Sequence, residues 1–316
     1  MRAVFLAPPR GVAASMHPRL KAPIERALAS SSVNWMTRHR LRDKRLILAY
    51  HGIIPDGARE AGERTLFVRQ SDFRAQLDML GDIADVASLD RIDEEGDGRP
   101  RVAITLDDAY RGAVREGVEE LVKRSLPATI FVAPGRLNDH VFWWDALAGN
   151  GLLDPEVRTY ALTALSGHDE RVRRWAASSG VPASDVVPEY ARAASLPELR
   201  DAVSQSGITI GSHTWSHANL AGLSVTEILS ELGRSREWLH REFPGKVVDW
   251  LAYPYGLDSV AAHCALANSP YRAALRIAGG WHRATHVSRF ERPRLNVPAG
   301  LSVAGLKART LGALPT

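Results

Sequence analysis

Cysteine occurs once in the 316 residues, at Cys264. A single thiol excludes an intramolecular disulfide framework and any metal centre built from several cysteines. Lysine is nearly as scarce: Lys21, Lys44, Lys123, Lys246 and Lys307 are the only five among 40 basic residues, so the positive charge is carried by arginine. No run approaches the length of about 18 apolar residues that a membrane helix needs. Near the N-terminus, Ala3-Val4-Phe5-Leu6-Ala7 is cut off by Pro8-Pro9-Arg10, too short for the apolar core of a secretory signal. The expected compartment is therefore the cytoplasm. Neither an internal repeat nor a low-complexity segment is visible. With 45% hydrophobic and 24% charged residues, disordered and collagen-like chains are excluded and a soluble globular protein is expected.

The charge that is present is unevenly spread. Residues 1–45 hold ten Lys or Arg against Glu25 and Asp43, a net +8 in a chain whose total is +4. A basic arm, residues 1–44, precedes a mildly acidic body. Such an arm could meet anionic headgroups at the inner face of a membrane, a phosphorylated substrate or nucleic acid, or be a solvated helical lead-in. No nucleic-acid-binding motif accompanies it, so no nucleic-acid partner is expected.

Beyond the arm, short apolar runs alternate with helical spacing. Arg45–Tyr50, Val102–Leu106, Ala128–Ala133, Ile208–Ile210, Val247–Leu251 and Arg272–Ile277 read as strands, with Asp85–Ala87 as a short one. Helices are expected over 73–80 with Ser71 as N-cap, after Asp107-Asp108 through about Arg124, and over 197–206, 226–243 and 257–268. Residues 145–200 break the alternation, with Pro155, Pro182, Pro188 and Pro197 as punctuation. The pattern predicts an α/β fold, a distorted (β/α) barrel of about seven strands over residues 45–300. It carries a helical insertion at about 145–200, and residues 301–316 form a C-terminal tail.

The chemically capable residues fall where strands end: His51, Asp107-Asp108, His213 to His217, and Tyr253-Pro254-Tyr255. In α/β barrels that end carries the active site, so residues distant in sequence can meet there. An acidic pair after a strand can simply cap the next helix. Two histidines at i and i+4 share a face if the segment turns helically. Two imidazoles and one carboxylate, with positions left open, make a hydrolytic zinc-type site, and the second carboxylate of the pair can act as base.

These segments resemble the motifs of the polysaccharide deacetylases, the NodB-like carbohydrate esterase family 4. Thr105-Leu106-Asp107-Asp108-Ala109 is similar to its first motif, T-F-D-D-G. His213-Thr214-Trp215-Ser216-His217 is similar to H-[ST]-x-x-H, and Leu251-Ala252-Tyr253-Pro254-Tyr255-Gly256 to R-x-P-Y-G. The resemblance spans roughly residues 45–297. It implies Asp107 as general base and Asp108, His213 and His217 as ligands of one divalent metal. Zinc is the default, with cobalt, nickel or manganese as alternatives. It also implies the backbone N–H of Tyr255 as oxyanion donor.

Two positions depart from the family pattern. Ala252 stands where an arginine usually orients the base; Arg111, Arg276 or Arg294 could replace it, and Arg294, on an expected last strand, is preferred. The late leucine-histidine motif that supplies the acid is missing. His263, His282 and His286 are poorly placed, and His51 is the candidate, as in members acting on exported poly-N-acetylglucosamine, which look circularly rearranged. Trp143 and Trp144 could wall a sugar subsite or cap the barrel; Trp215 could line the pocket or pack elsewhere. The expected activity is metal-dependent removal of an N-acetyl group from an amino sugar in a polysaccharide or glycan precursor. A deformylase or deacetylase of a lipid- or nucleotide-linked monosaccharide is the alternative, and a glycan-binding relic without catalysis is the reading of another class.

Overall fold

The computed structural model describes residues 41–148, 151–283 and 287–314. Most of the basic arm, for which a membrane-surface contact is one of several open readings, lies outside these residues, as does His286.

Seven runs pair in parallel, most of them apolar and largely buried on both faces, as strands covered by helices require; the last, Arg292–Asn296, is polar. They are β1 (Arg45–Tyr50), β5 (Arg101–Leu106), β6 (Ala128–Val132), β7 (Ile208–Ser212), β8 (Val247–Ala252), β9 (Ala273–Ile277) and β10 (Arg292–Asn296). The ladder runs β1–β5–β6–β7–β8–β9–β10 and returns to β1, which closes a seven-stranded parallel barrel. The barrel expected from the alternation is therefore present. Short β4 (Asp85–Val86) pairs with the start of β5, on the edge that β6 takes from Ile104 onward. A separate parallel pair, β2 (Gly52–Ile54) with β3 (Phe67–Arg69), follows β1; no alternation in the sequence announced it. Close approach explains Gly52, where an added Cβ would lie 2.1 Å from the Phe67 ring.

Period-two alternation divides the strand residues between two cores. Ile47, Ala103, Phe131, Trp250, Ala252, Ala273 and Leu275 fill the barrel, with Leu89 and Ile92 packed among them. Their neighbours Leu46, Leu48, Val102, Ile104, Ile130 and Val132 face outward into the main helical core. Each such aliphatic side chain contributes roughly 1.5–3 kcal/mol on full burial.

Helix α1 (Gln70–Ile83) buries Phe73, Leu77 and Leu80, as the spacing predicts, but Ser71 lies within it; Arg69 occupies the N-cap position without a side-chain bond. After Asp107-Asp108 the chain passes through a π-turn, Ala113–Gly117, before α2 (Val118–Lys123). The insertion carries α3 (Trp143–Leu147), α4 (Pro155–Thr163) and α5 (Asp169–Ser178), and α6 (Leu196–Ser204) leads into β7. Helix α7 (Val225–Glu242) opens with a capping box between Ser224 and Glu227, and α8 (Val260–Ala267) precedes β9. The segment read as a tail holds α9 (Val303–Thr310), with Leu306 and Leu311 in the main core. Its apolar positions are too few to give a helical stripe in isolation. Among the described residues no helix is long and apolar enough to cross a membrane.

Candidate metal and catalytic site

The polar ends of the strands converge at one mouth. Asp107 continues β5, its amide donating to Tyr50 O at 2.8 Å. Asp108 then adopts a left-handed conformation, φ 68°. Five of the nine non-glycine residues with positive φ among the described residues lie in the motif loops: Asp108, Ala109, Thr214, His217 and Tyr255. Backbone held in such sparsely populated regions is characteristic of functional sites.

The two histidines do not share a helix face, contrary to the helical expectation. A loop with left-handed Thr214 and His217 brings their rings together at 4.6 Å. Glu231 on α7 holds that loop, accepting from the amides of Trp215 and Ser216 at 2.9 and 2.8 Å and from the Ser216 hydroxyl at 2.8 Å. His213 Nδ1 donates to Ala252 O at 2.7 Å, which leaves Nε2 as the free acceptor. Asp108 Oδ1 lies 3.0 Å from His217 Nε2 and 3.5 Å from His213 Nε2. One ligand atom from each of Asp108, His213 and His217 falls within 4.8 Å of the others, and all three residues are buried. Two imidazole nitrogens and a carboxylate oxygen, with one imidazole fixed through its other nitrogen, suit a zinc-type divalent cation. The residues present fit such an ion.

Beside this triad, Arg294 reaches up from β10. Its Nη1 and Nη2 each donate to one oxygen of Asp107 at 2.7 Å, and Nη1 also meets Thr105 Oγ1 at 3.1 Å. Burial pushes the Asp107 carboxyl up, but the charges of Arg294, His213 and His51 outweigh it and hold it below the ordinary carboxylate range. The other candidate arginines are engaged elsewhere: Arg111 with Asp139 and Glu198, Arg276 near Asp258 and Glu291. Ala252 packs inside the barrel beside Phe131 and Leu275.

His51 Nε2 lies 4.0 Å from Asp107 Oδ2, and its Nδ1 is buried without a partner. Burial lowers its pKa, more than the nearby carboxylates raise it. Of the other histidines considered, His263 bonds Asp258, and His282 pairs with Arg45 at the start of β1, away from the mouth.

A cavity of about 320 Å3 opens over these groups. Every barrel strand contributes a wall through its C-terminal end or the loop beyond: His51, Asp107 and Asp108, Trp143 and Trp144, His213 and His217, Tyr253 and Tyr255, Ile277, and Asn296. Trp143 Nε1 donates to Tyr255 OH at 2.9 Å, and Trp144 Nε1 to Tyr110 OH at 2.8 Å. Trp144 and Tyr255 pack on the His217 ring at 4.8 and 4.7 Å. Trp215 is not part of this wall: its ring lies under the Arg234 guanidinium at 4.3 Å, because the loop that brings His217 inward turns Trp215 away. Arg158 and Leu162, one turn apart on α4, also line the cavity. Sequence reasoning missed them, since nothing local marks which insertion residues fold back. Asn296 was missed although it follows Arg294 by two residues, the strand period that puts both on one face. A larger cleft, about 750 Å3, opens around Asp85 and Arg101, at the opposite end of the strands; the Asp85–Arg101 ion pair at 2.6 Å is its main polar feature.

The family model for polysaccharide deacetylases matches residues 94–274, more than half of the chain. The chain belongs to the polysaccharide deacetylase family. As a polysaccharide deacetylase it is a carbohydrate deacetylase, a hydrolase. No curated protein sequence matches it. Among solved structures, the Streptococcus pyogenes deacetylase PplD, in complex with acetate, superposes with a TM-score of 0.58 at 18% identity over 83% of this chain and 96% of that one. IcaB from Ammonifex degensii gives 0.59 at 15% identity over 85% and 97%. A polysaccharide deacetylase from Bacillus cereus gives 0.60 at 18% over 84% and 69%. At these identities the likeness is one of fold. The matched segment holds Asp107, Asp108, His213, His217 and Tyr255 but not His51, Arg294 or Asn296, which lie outside it on either side.

Proposed function

We propose that this deacetylase removes an acetyl group from the nitrogen of an amino sugar, using one divalent cation held by Asp108, His213 and His217. The observation that carries this reading is the convergence of three buried ligand atoms beside a second carboxylate, Asp107, pinned by Arg294. When bound, a divalent cation supplies Lewis acidity, polarising the acyl carbonyl and acidifying a water. Asp107 takes the proton from the attacking water; Arg294 keeps it ionised and fixes both its oxygens. The backbone N–H of Tyr255, at a left-handed turn over His217, donates to the carbonyl oxygen as charge grows there. His51, whose Nε2 lies 4.0 Å from Asp107 Oδ2, passes the proton taken from the water on to the departing amine nitrogen. The carbon–nitrogen bond breaks, a carbon–oxygen bond to the water oxygen forms, and acetate and a free amine leave. Trp143 and Trp144, with both indole N–H groups engaged, offer a rigid wall to the sugar.

Elemental analysis and acetate release test this directly. Wild type and Asp107→Asn should each hold about one zinc-like metal per chain, and His217→Ala should hold none. Acetate release from N-acetylated amino-sugar oligomers should fall by about 10²–10⁴-fold in Asp107→Asn and vanish in His217→Ala. Near-full turnover in metal-loaded Asp107→Asn would sink the base assignment. No stoichiometric metal after supply of zinc or cobalt would sink the mechanism and leave the non-catalytic glycan-binding reading.

One observation favours a second reading, a lipid- or nucleotide-linked monosaccharide as substrate. Arg158 stands at the pocket wall with its side chain 41% exposed, and its Nη2 lies 3.3 Å from Glu63 Oε2. A guanidinium there suits a phosphate substituent, and a cavity walled from every strand end suits a single sugar. Faster turnover of a phosphorylated monosaccharide than of a neutral oligomer would select this reading, and assaying formate beside acetate identifies the acyl group.

A further inference from the structure

Asn296 is the last residue of β10, and its Oδ1 is buried without a hydrogen-bond partner. An acceptor left in this state costs about 1–3 kcal/mol unless something arrives to satisfy it, so an orphan in a binding cavity asks for a ligand. Its level in the barrel is fixed by register. Ala49 pairs with both Asn296 and Thr105, so these three form one layer. Arg294 shares the face of Asn296 and stands one pleat below; Asp107 and His51 stand one pleat above Thr105 and Ala49. Ala49 is small and leaves room for the longer side chain beside it. Asn296 is therefore at the floor of the pocket, under the two groups that handle protons, and the pocket reaches it.

Building on the proposed N-deacetylation, we infer that Asn296 Oδ1 accepts the N–H of the scissile amide and so makes the site select amides over esters. The acyl end of a substrate is the part that descends to Asp107, and the sugar ring stays higher, between the tryptophans and α4. Two donors could in principle reach Oδ1, a ring hydroxyl and the amide N–H, and depth favours the amide. Held by its N–H, the amide turns its nitrogen towards the His51 side, where the proton is needed. An ester has an oxygen at that place and no proton to give, so it leaves Oδ1 unsatisfied. A site built to bond an N–H discriminates against an analogue lacking it far more strongly than an apolar wall can.

The test compares an N-acetylated amino sugar with the same ring carrying an O-acetyl group at that carbon, on wild type, Asn296→Leu and Asn296→Asp. Metal content and thermal midpoint of each variant guard against misfolding. In Asn296→Leu, kcat/KM for the amide should fall by about 10- to 100-fold while the ester value changes little. Asn296→Asp keeps an acceptor and should retain the amide preference. Equal losses on both substrates, or no loss on either, would overturn the inference; the second result would make the position a water site only. If the wild type turns over neither substrate, the underlying reading fails, and equilibrium binding of the same two compounds, followed by tryptophan fluorescence, still decides on Asn296. Preferential binding of the amide by wild type and its loss in Asn296→Leu support the inference, and equal binding sinks it.

Discussion

At the scale of single residues, the pairing of Arg294 with Asp107 decides what the site can do. Both side chains are almost wholly buried, at 0% and 2% exposure. Breaking a buried pair leaves an uncompensated charge and costs about 3–5 kcal/mol, so Arg294→Ala should destabilise the fold as well as the site. Arg294→Lys keeps a charge but cannot donate to both oxygens, and it is the more informative variant. Arg294 is the leading cause that holds the Asp107 carboxyl low. Weakening it raises that pKa, and a base must be ionised to act. The acid limb of the kcat/KM profile should therefore move to higher pH in Arg294→Lys, with turnover at the optimum down about tenfold or more. An unmoved acid limb would mean that Asp107 is not the group titrating there.

At the scale of elements, α7 is the clearest case of a helix serving a loop. Its Glu231 carboxylate takes three hydrogen bonds from residues 215 and 216, which bridge the two histidines. Glu231→Ala should leave the helix intact, since the Ser224–Glu227 capping box is untouched, yet free the loop. Supports of this kind typically govern metal affinity by about 10–100-fold, which a competition titration with a chromophoric chelator would read. An unchanged affinity would show that the left-handed turns alone fix the loop.

Elements also show why some of this was legible in sequence and some was not. Most of the strands were readable because they are apolar runs cut by a polar residue, and the same cut places Asp107, His213 and His51 at the mouth. Element β2 gives three residues to its pairing, too few for its period to declare itself, and α9 has too few apolar positions to form a stripe. Spacing of i and i+4 correctly brought His213 and His217 together but for the wrong reason. A loop closes the gap, and the positive φ of Thr214 and His217 leaves no trace in residue type. Arg294 could be named from its position after a strand signal; Asn296, two residues on, obeyed the same rule. Trp215 sat between two inward residues and turned out, because a loop follows no strict alternation.

At the scale of the whole molecule, the barrel, the β2–β3 loop and the insertion are tied together at one buried carboxyl. Asp145 on α3 accepts from the Glu63 amide at 2.8 Å and from Tyr110 OH at 2.5 Å, and Tyr110 in turn accepts from Trp144. Burial raises the Asp145 pKa to about 7, against the pull of the Tyr110 hydroxyl and the Glu63 amide. The unfolded value is the ordinary one, 3.8. Between those values the folded state binds more protons than the unfolded state, so this group's contribution to stability is greatest at low pH and declines as pH rises towards 7. Histidines with lowered values, such as His51 and His217, act in the opposite sense, so the wild-type curve alone does not isolate the effect. The difference between wild type and Asp145→Asn does, because asparagine cannot titrate. Denaturant unfolding measured from pH 4 to pH 7.5 should show wild type losing stability relative to Asp145→Asn by up to roughly 4 kcal/mol, the limit set by the size of the shift. A difference that stays constant across that range would mean the carboxyl is already ionised at pH 4, its charge held by the two donors aimed at it, and would make those hydrogen bonds stronger than the cost of burial.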